Sequence, residues 1–492
     1  MKQYVLAIDQ STSATKVILV NEAGEIVRQA AHAHALLHPT AEWVEYDAEE
    51  IFRNTVAGLR DLLADGAAAT GEISGVGITN QTGAFVLWDR RTGEPVHQAI
   101  GWQCGRGQPV CEAMSEEEKK AFLRASGCAV SPFLPAAKLR WLLDERPDLQ
   151  KRAEAGELCF GSMDSWLIWK LTGGRVHATD YGNACITQLF NIYEKKWDDS
   201  ILRILRIPER ILPKVMDTNG PFGTLNVEGI PPYPILAVAG DSNAALFGQF
   251  GFERGSIKIT YGTGASLLYN IGQRPVQAIN GFSPVIAWSY SGTPTYVLEG
   301  TAVCAGDSLV WLKEVGIIRS AAETEATAAQ VSDNGGVYFV SAFTGLGTPN
   351  WNPTARACIV GMGRGTSKAH VIRAALEGIA YQIADMYYAL PDGMPRASVL
   401  VDGGATRNRF LMQFQSDLLG STVTRRICEE SSALGVAYMA GIQAGIWEGR
   451  TALKSAVAAQ YETYVPQMQE DEREARYAGW KRALLKSTDG AL

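Results

Sequence analysis

Asp9 ends the apolar run Tyr4 to Ile8 and is followed by Ser11, Thr12, Ser13, Thr15 and Lys16. Short hydroxyls and backbone N–H groups at a turn can hold phosphate oxygens, and a neighbouring lysine adds a point charge. A carboxylate beside phosphates repels them unless a cation lies between, so Asp9 reads as an acid for Mg²⁺, held directly or through water. A polar β-turn with a solvated aspartate is the alternative these residues leave open. Asp241 is the second acid of this kind, delivered by the apolar stretch "ILAVAG" just after Gly240. When a phosphoryl group passes to an alcohol, the protein positions the partners, screens charge and offers a carboxylate for the hydroxyl proton. Asp241 is the candidate for that base. Its structural alternative is an N-cap for the helical run from Asn243, worth about 1 kcal/mol.

The elements that must carry these acids follow from the pattern around them. Alternation on both sides of "DQSTSATK" predicts two β-strands with the polar cluster at a hairpin tip. The same design returns in "GSIKITYGTGASLLYNIG", strand, Gly/Thr tip, strand, so that Tyr261, Gly262, Thr263 and Gly264 answer the first tip. Two such hairpins far apart suggest a duplicated architecture. "ASVLVDGGATRNRFLMQFQSDLLG" predicts a strand stopped by Asp402, Gly403 and Gly404 and then a helix. Glycine there lets backbone approach a ligand at the carboxyl end of a strand. "SSALGVAYMAGIQAG" carries small residues at helical spacing, which predicts a helix packed closely on a neighbour.

At 492 residues the chain is too long for one ordinary core, and two large lobes fit it. Hydrophobic residues at 46%, charged residues at 20% and 50 glycines describe a loop-rich α/β globular enzyme. A net charge of −7 with no basic block argues against nucleic acid. No signal-like leader and no bilayer-length apolar run is seen, so no membrane partner and a cytoplasmic location are expected. The eight cysteines form no CxxC pair, which points to buried side chains rather than zinc or disulfides. The sequence lacks GxxxxGK[ST], GxGxxG and HExxH, which removes the P-loop, dinucleotide and zincin readings. "GDSL" at Gly306 to Leu309 is expected to open a helix, because a serine nucleophile without base and orienter is not a triad.

Taken together, "AIDQSTSATK", "GITNQTG", "PFLPAAKLRWLLDE", "AGDSNAALFGQ", "TYGTGAS", "FTGLGTPNWNPTARA", "VDGGATRNRFLMQFQSDLLG" and "RYAGWKRAL" resemble, in order and over nearly the whole chain, the FGGY carbohydrate kinases, the glycerol kinases among them. The resemblance implies two actin-like, ribonuclease-H-like domains of the sugar kinase, actin and chaperone ATPase fold, with the active site in the cleft between them. It divides the chain into 1–246, with the substrate side and the first phosphate hairpin, and 247–492, with the nucleotide side. It implies ATP and Mg²⁺, with the γ-phosphate passing to a substrate hydroxyl. By position Asp9 looks like the family's Mg²⁺-associated acid and Asp241 its base. Thr12, Ser13 and Lys16 fall where the first hairpin meets phosphates, Gly262 and Thr263 at the second, Gly306 at a nucleotide-contacting helix start, and Gly404 and Asn408 at the adenosine end. A nucleotide contact usually made by Gln falls on Val310.

The substrate positions depart from the glycerol kinases. Their Arg-Glu pair after "NQ" is Thr82 and Gly83 here; their pocket Tyr is Phe133; the Gln after the base is Ser242; and the Phe after the second hairpin is Ser266. Trp102 and Asp241 remain. A site built to hydrogen-bond particular hydroxyls loses orders of magnitude when those partners go. Most of the changes remove volume, so a larger and still polar pocket is expected. It would take a longer polyol or a ketose, a tetritol, tetrulose or pentulose, with Asn80, Gln81, Gln103, Cys104 and Arg106 as further contacts. A glycerol kinase with an atypical pocket and a non-catalytic sugar-binding regulator are the alternatives. A homodimer or homotetramer is the expected assembly. The family's fructose-bisphosphate loop has no counterpart in "NVEGIPPYPI", and its phospho-histidine loop is not seen.

Overall fold

The computed structural model describes residues 3–40, 42–64 and 72–488. The chain opens with an antiparallel meander, β1 (Tyr4–Gln10), β2 (Ala14–Asn21) and β3 (Ile26–Ala33). Helix α1 (Ala48–Leu63) follows, its first turn capped by Asp47, whose carboxylate accepts from the N–H groups of Glu49 and Glu50 at 2.8 and 3.1 Å. Strands β4 (Ile73–Asn80) and β5 (Ile235–Gly240) then add parallel to β1, giving the order β5-β4-β1-β2-β3. Alternation decides the packing. Val5, Ala7, Ile18 and Val20 enter one core, while Tyr4, Leu6, Ile8, Val17 and Leu19 enter another on the opposite face. A strand covered on both faces must read as an unbroken apolar run, as β1 does until Asp9.

After α2 (Asp241–Gly248) the plan repeats. Strands β6 (Ser256–Tyr261) and β7 (Ala265–Gly272) form the second hairpin, and β8 (Ser283–Tyr290) and β9 (Thr293–Ala302) extend it antiparallel. Helices α3 (Asp307–Glu314) and α4 (Lys368–Ala389) intervene before β10 (Ser398–Asp402), which lies parallel to β6. Then come α5 (Arg409–Leu419), β11 (Val423–Arg426), α6 (Ser431–Gln443) and β12 (Tyr461–Tyr464). The order β8-β9-β7-β6-β10-β11-β12 holds the same core as the first sheet: three antiparallel strands and two parallel additions on the first of them. The duplication expected from the two hairpins is therefore present in the topology.

The halves are locked through α2 and α6. Although α6 lies late in the chain, it packs on β1, β4 and β5 and crosses α2. The crossing needs glycine. A Cβ at Gly435 would fall 1.8 Å from the Ala244 carbonyl oxygen, one at Gly248 2.2 Å from that of Ser431, and one at Gly77 2.5 Å from that of Val436. The close helix packing expected in this segment is found. Tyr438 Oη donates to Gly24 O at 2.9 Å, fastening the same helix to the first lobe.

Candidate active site

Strand β1 places Asp9 directly opposite Lys16 on β2. The tip between them is closed by Ser11, whose N–H and hydroxyl both donate to Ala14 O at 2.9 Å. That leaves Ser13 exposed and Thr12 half-buried, its Oγ1 accepting from the Trp102 indole at 3.2 Å. Lys16 reaches across to the second half of the chain and pairs with Glu430, the residue that precedes α6. Asp241 begins α2. Gly240, not Asp241, occupies the N-cap, so the aspartate is freed from capping and its Oδ1 accepts from the adjacent Ser242 N–H at 2.7 Å.

The two acids are near enough to repel each other. Burial and then repulsion from Asp241 push the Asp9 carboxyl up to about 7, against the pull of Lys16 and with a further push from Glu430. Burial also raises Asp241, opposed by the Ser242 N–H and Lys258 and assisted by Asp402. Lys258 on β6 lies 3.4 Å from Asp402 Oδ2, which also accepts from Gln249 Nε2 at 2.8 Å. A raised carboxylate is a stronger proton acceptor, the property asked of a base for an alcohol.

In the second half of the chain the residues singled out converge in two groups. The second tip is tied to the start of α3 by three backbone bonds: Ala305 N to Thr263 O at 2.8 Å, Gly306 N to Gly262 O at 3.0 Å and Asp307 N to Thr263 O at 3.0 Å. A Cβ on Gly306 would fall 2.5 Å from the Gly262 oxygen, which accounts for glycine there. Gly262 and Thr263 remain exposed. The "GDSL" stretch opens α3, and its serine donates to Ala305 O at 2.6 Å. Gly404 is exposed at the end of β10, beside Gly403, whose φ of +95° lets the chain pass against Tyr261. Asn408 is committed inside the protein: it caps α5 by accepting from Leu411 N at 3.0 Å and donates to Thr324 Oγ1 at 3.0 Å.

In the first lobe Thr82, Gly83, Trp102 and Phe133 line a cavity of about 660 Å³, closed from the second lobe by Phe282, Ser283, Glu299, Thr301 and Trp351. Ser242 and Ser266 are not among its walls. Gly83 has φ +79° and faces Trp102, so it holds a turn that other residues strain to adopt. Behind this turn the fully buried Lys138 donates to Gly83 O at 3.0 Å and Gly101 O at 2.7 Å, and burial brings its ammonium down to about 7.

Two expectations about the pocket are corrected. Its walls are mainly apolar, with Leu123, Val130, Pro132, Leu134, Ile186 and Val285 added to the aromatic rings. The further contacts expected from Asn80 to Arg106 do not line it. Asn80 bonds Asn183 at 2.9 Å, Gln81 accepts from Tyr46 at 3.1 Å, and Arg106 pairs with Glu45 at 2.7 Å while its Nε donates to Cys104 Sγ. Sequence reasoning missed Glu299, Lys258, Glu430 and Lys138. The usable signal was a charge inside an otherwise apolar strand, "YVLEGTA" and "SIKIT".

Two lobes of repeated α/β topology with acids facing one cleft define the sugar kinase fold, and comparison with known proteins agrees. Residues 4–248 match the N-terminal domain of the FGGY family of carbohydrate kinases, and 257–444 its C-terminal domain. Glycerol kinase 1 of Thermotoga maritima is 44% identical over 488 residues, covering 98% of this chain and 99% of that one. Glycerol kinase of Petrotoga mobilis is 43% identical over 492 residues, 99% of each. The crystal structure of Plasmodium falciparum glycerol kinase with ADP superposes with a TM-score of 0.93 at 31% identity, covering 99% of this chain and 98% of that one. Xylulose kinase of Lactobacillus acidophilus shares the fold, with a TM-score of 0.87 at 20% identity, covering 98% of this chain and 97% of that one. The chain belongs to the FGGY family of carbohydrate kinases. Among the described residues no helix is long and apolar enough to cross a membrane.

Proposed function

We propose that the protein transfers the γ-phosphate of ATP to a hydroxyl of a small polyol or ketose larger than glycerol, such as a tetritol, tetrulose or pentulose. The observation that carries this reading is a cavity of about 660 Å³ lined by Thr82 and Gly83, which stand where the resemblance places the Arg and Glu of the glycerol kinases, with Thr82 packed against Gly240, next to Asp241. A volume of that size lies in the range of about 300–1,000 Å³ typical of ligand pockets.

Asp241 takes the proton of the attacking hydroxyl, its carboxylate aimed by the Ser242 N–H and by Gly240, whose Cα has no room for a side chain beside Thr82. Thr12, Ser13 and Lys16 on the first tip and Gly262 and Thr263 on the second hold the phosphates, with Gly306 fixing the second tip. Gly404 and Asn408 stand at the adenosine end, Asn408 through its place at the start of α5. Asp9 suits Mg²⁺: it is an acid raised by burial and a like charge, and so gains from a cation. Mg²⁺ bound through one carboxylate and the nucleotide phosphates would screen the phosphate charge. Thr82, Gly83, Trp102 and Phe133 shape the acceptor side, while Ser242 and Ser266 lie outside the cavity's walls. The division at 246/247 puts the acceptor side and the first phosphate tip in one half and the nucleotide side in the other, joined by α2, which spans that point. The protein acts in the cytoplasm, as a homodimer or homotetramer.

A glycerol kinase with an atypical pocket is the second reading, favoured by the names of the relatives at 41–44% identity. An ADP-release screen over glycerol, tetritols, tetruloses, pentitols and pentuloses separates the two. The proposal expects kcat/KM for a four- or five-carbon acceptor to exceed that for glycerol at least tenfold; preference for glycerol overturns it.

A further inference from the structure

The structure assigns a second carboxylate to the acceptor site: we infer that Glu299 accepts hydrogen bonds from the substrate hydroxyls that are not phosphorylated. The inference rests on the polyol reading above and gives its cavity a polar anchor. Glu299 and Thr301 are two apart on β9, so they share a face, and both line the cavity, while Leu298 and Gly300 between and beside them turn inward. Ser283, paired with Glu299 across β8 and β9, lines it as well.

The Glu299 carboxylate makes no hydrogen bond or ion pair to a described residue, although its side chain is only partly open to water. A half-buried anion in an apolar wall is costly unless donors reach it. The protein supplies none, and the cavity is where they can come from. Several of the other polar groups around it are spent on the protein. Gln188 donates to Ala129 O at 2.8 Å and accepts from Ser131 N at 3.2 Å, Ser126 Oγ donates to Phe122 O at 2.8 Å, and Ser131 Oγ accepts from Phe133 N at 3.3 Å. Burial and the nearby Asp241 push Glu299 up to about 7, against Lys258. Cys128 and Cys185 feel its charge from the first lobe. Glu299 lines the cavity and Asp241, from the other lobe, is near enough to act on its charge, one for the neighbouring hydroxyls and one for the reacting hydroxyl. An acceptor held by both would draw β9 toward the Trp102 side.

The test is Glu299→Gln and Glu299→Leu, with steady-state kinetics on the best acceptor of the screen and on ATP, and with the thermal shift produced by the same polyol. Expected are a rise of about 10–100-fold in acceptor KM, loss of the polyol-induced shift, a KM for ATP within twofold of wild type, and a nucleotide-free Tm no lower than wild type. A merely structural role would lower Tm and move both KM values together, and that result overturns the inference. An unchanged acceptor KM with active wild-type enzyme overturns it alone. Wild type that releases no ADP but shows a shift that Glu299→Gln removes overturns the kinase reading and upholds Glu299. Neither turnover nor shift with any polyol overturns both.

Discussion

Gly435 is where α6 crosses α2, and its replacement by alanine measures how tightly that crossing holds Asp241. The added Cβ would lie 1.8 Å from the Ala244 carbonyl oxygen, against a closest approach of 3.0 Å, so the helices must part by about 1.2 Å. The obstacle is main chain, which cannot rotate away as a side chain does. Overpacking of this kind costs about 1–3 kcal/mol, and each kcal/mol lowers Tm by about 2–4 °C in domains of this size. Because Ala244 is three residues beyond Asp241 in the same short helix, the displacement reaches the carboxylate. A misplacement near 1 Å removes roughly 10²-fold of rate. The assay is kcat from ADP release with Tm from calorimetry, and Gly363→Ala, which meets nothing within 4 Å, serves as control. Wild-type kcat and Tm in Gly435→Ala, alongside an unaffected control, would refute the claim that this crossing positions the base.

Two further outcomes follow from charges in the site. Asp9 is pushed from its ordinary 3.8 to about 7, so its contribution is stabilising below 3.8 and is lost as pH rises through about 7. The Tm of nucleotide-free wild type should therefore fall between pH 4 and 8 more steeply than that of Asp9→Asn, and equal slopes would show that burial and its neighbours do not hold Asp9 raised. Lys138→Met strips both the Gly83 and Gly101 carbonyls of their buried donor, at about 1–3 kcal/mol for each group left unpaired. It should raise the acceptor KM at least tenfold and leave the KM for ATP within twofold; an unaffected acceptor KM in folded protein would remove Lys138 from the positioning of Gly83 and Trp102.

The parts of this molecule legible in sequence are those where a short polar segment interrupts an apolar one. Asp9 and Asp241 stood out because an unbroken apolar strand delivers each of them, and the two hairpins because Ser, Thr and Gly cluster at their tips. Their repetition was enough to anticipate two sheets of like topology. Less of the acceptor site was readable. Strand alternation says that Glu299 shares a face with Thr301, but it does not say that the face looks across a cleft at Trp102, nearly two hundred residues earlier. Lys138 sits in a helical run whose lettering, "AAKLRWLLDE", reads as a half-exposed surface, and only the fold reveals that its ammonium is buried under a turn. The polar letters from Asn80 to Arg106 pointed to the pocket, yet Asn80, Gln81, Cys104 and Arg106 find partners inside the first lobe and Gln103 is exposed away from the cavity's walls. The apolar walls beside Thr82 and Gly83 are ones that no count of side-chain volume displays. Asp241 was weighed as a helix cap, and the structure gives that position to Gly240 because Thr82 fills the space beside it.

The account depends on Asp241 drawing the proton from the acceptor hydroxyl while Asp9 stands at the donor. Asp241→Asn keeps the shape of the side chain and an acceptor for the Ser242 N–H but removes the basic carboxylate. Calorimetric titration with ATP and with the acceptor, paired with kcat, tests it: both ligands should bind within about twofold of wild type while kcat falls by about 10²–10⁴-fold. Turnover near the wild-type rate with both ligands bound would contradict it.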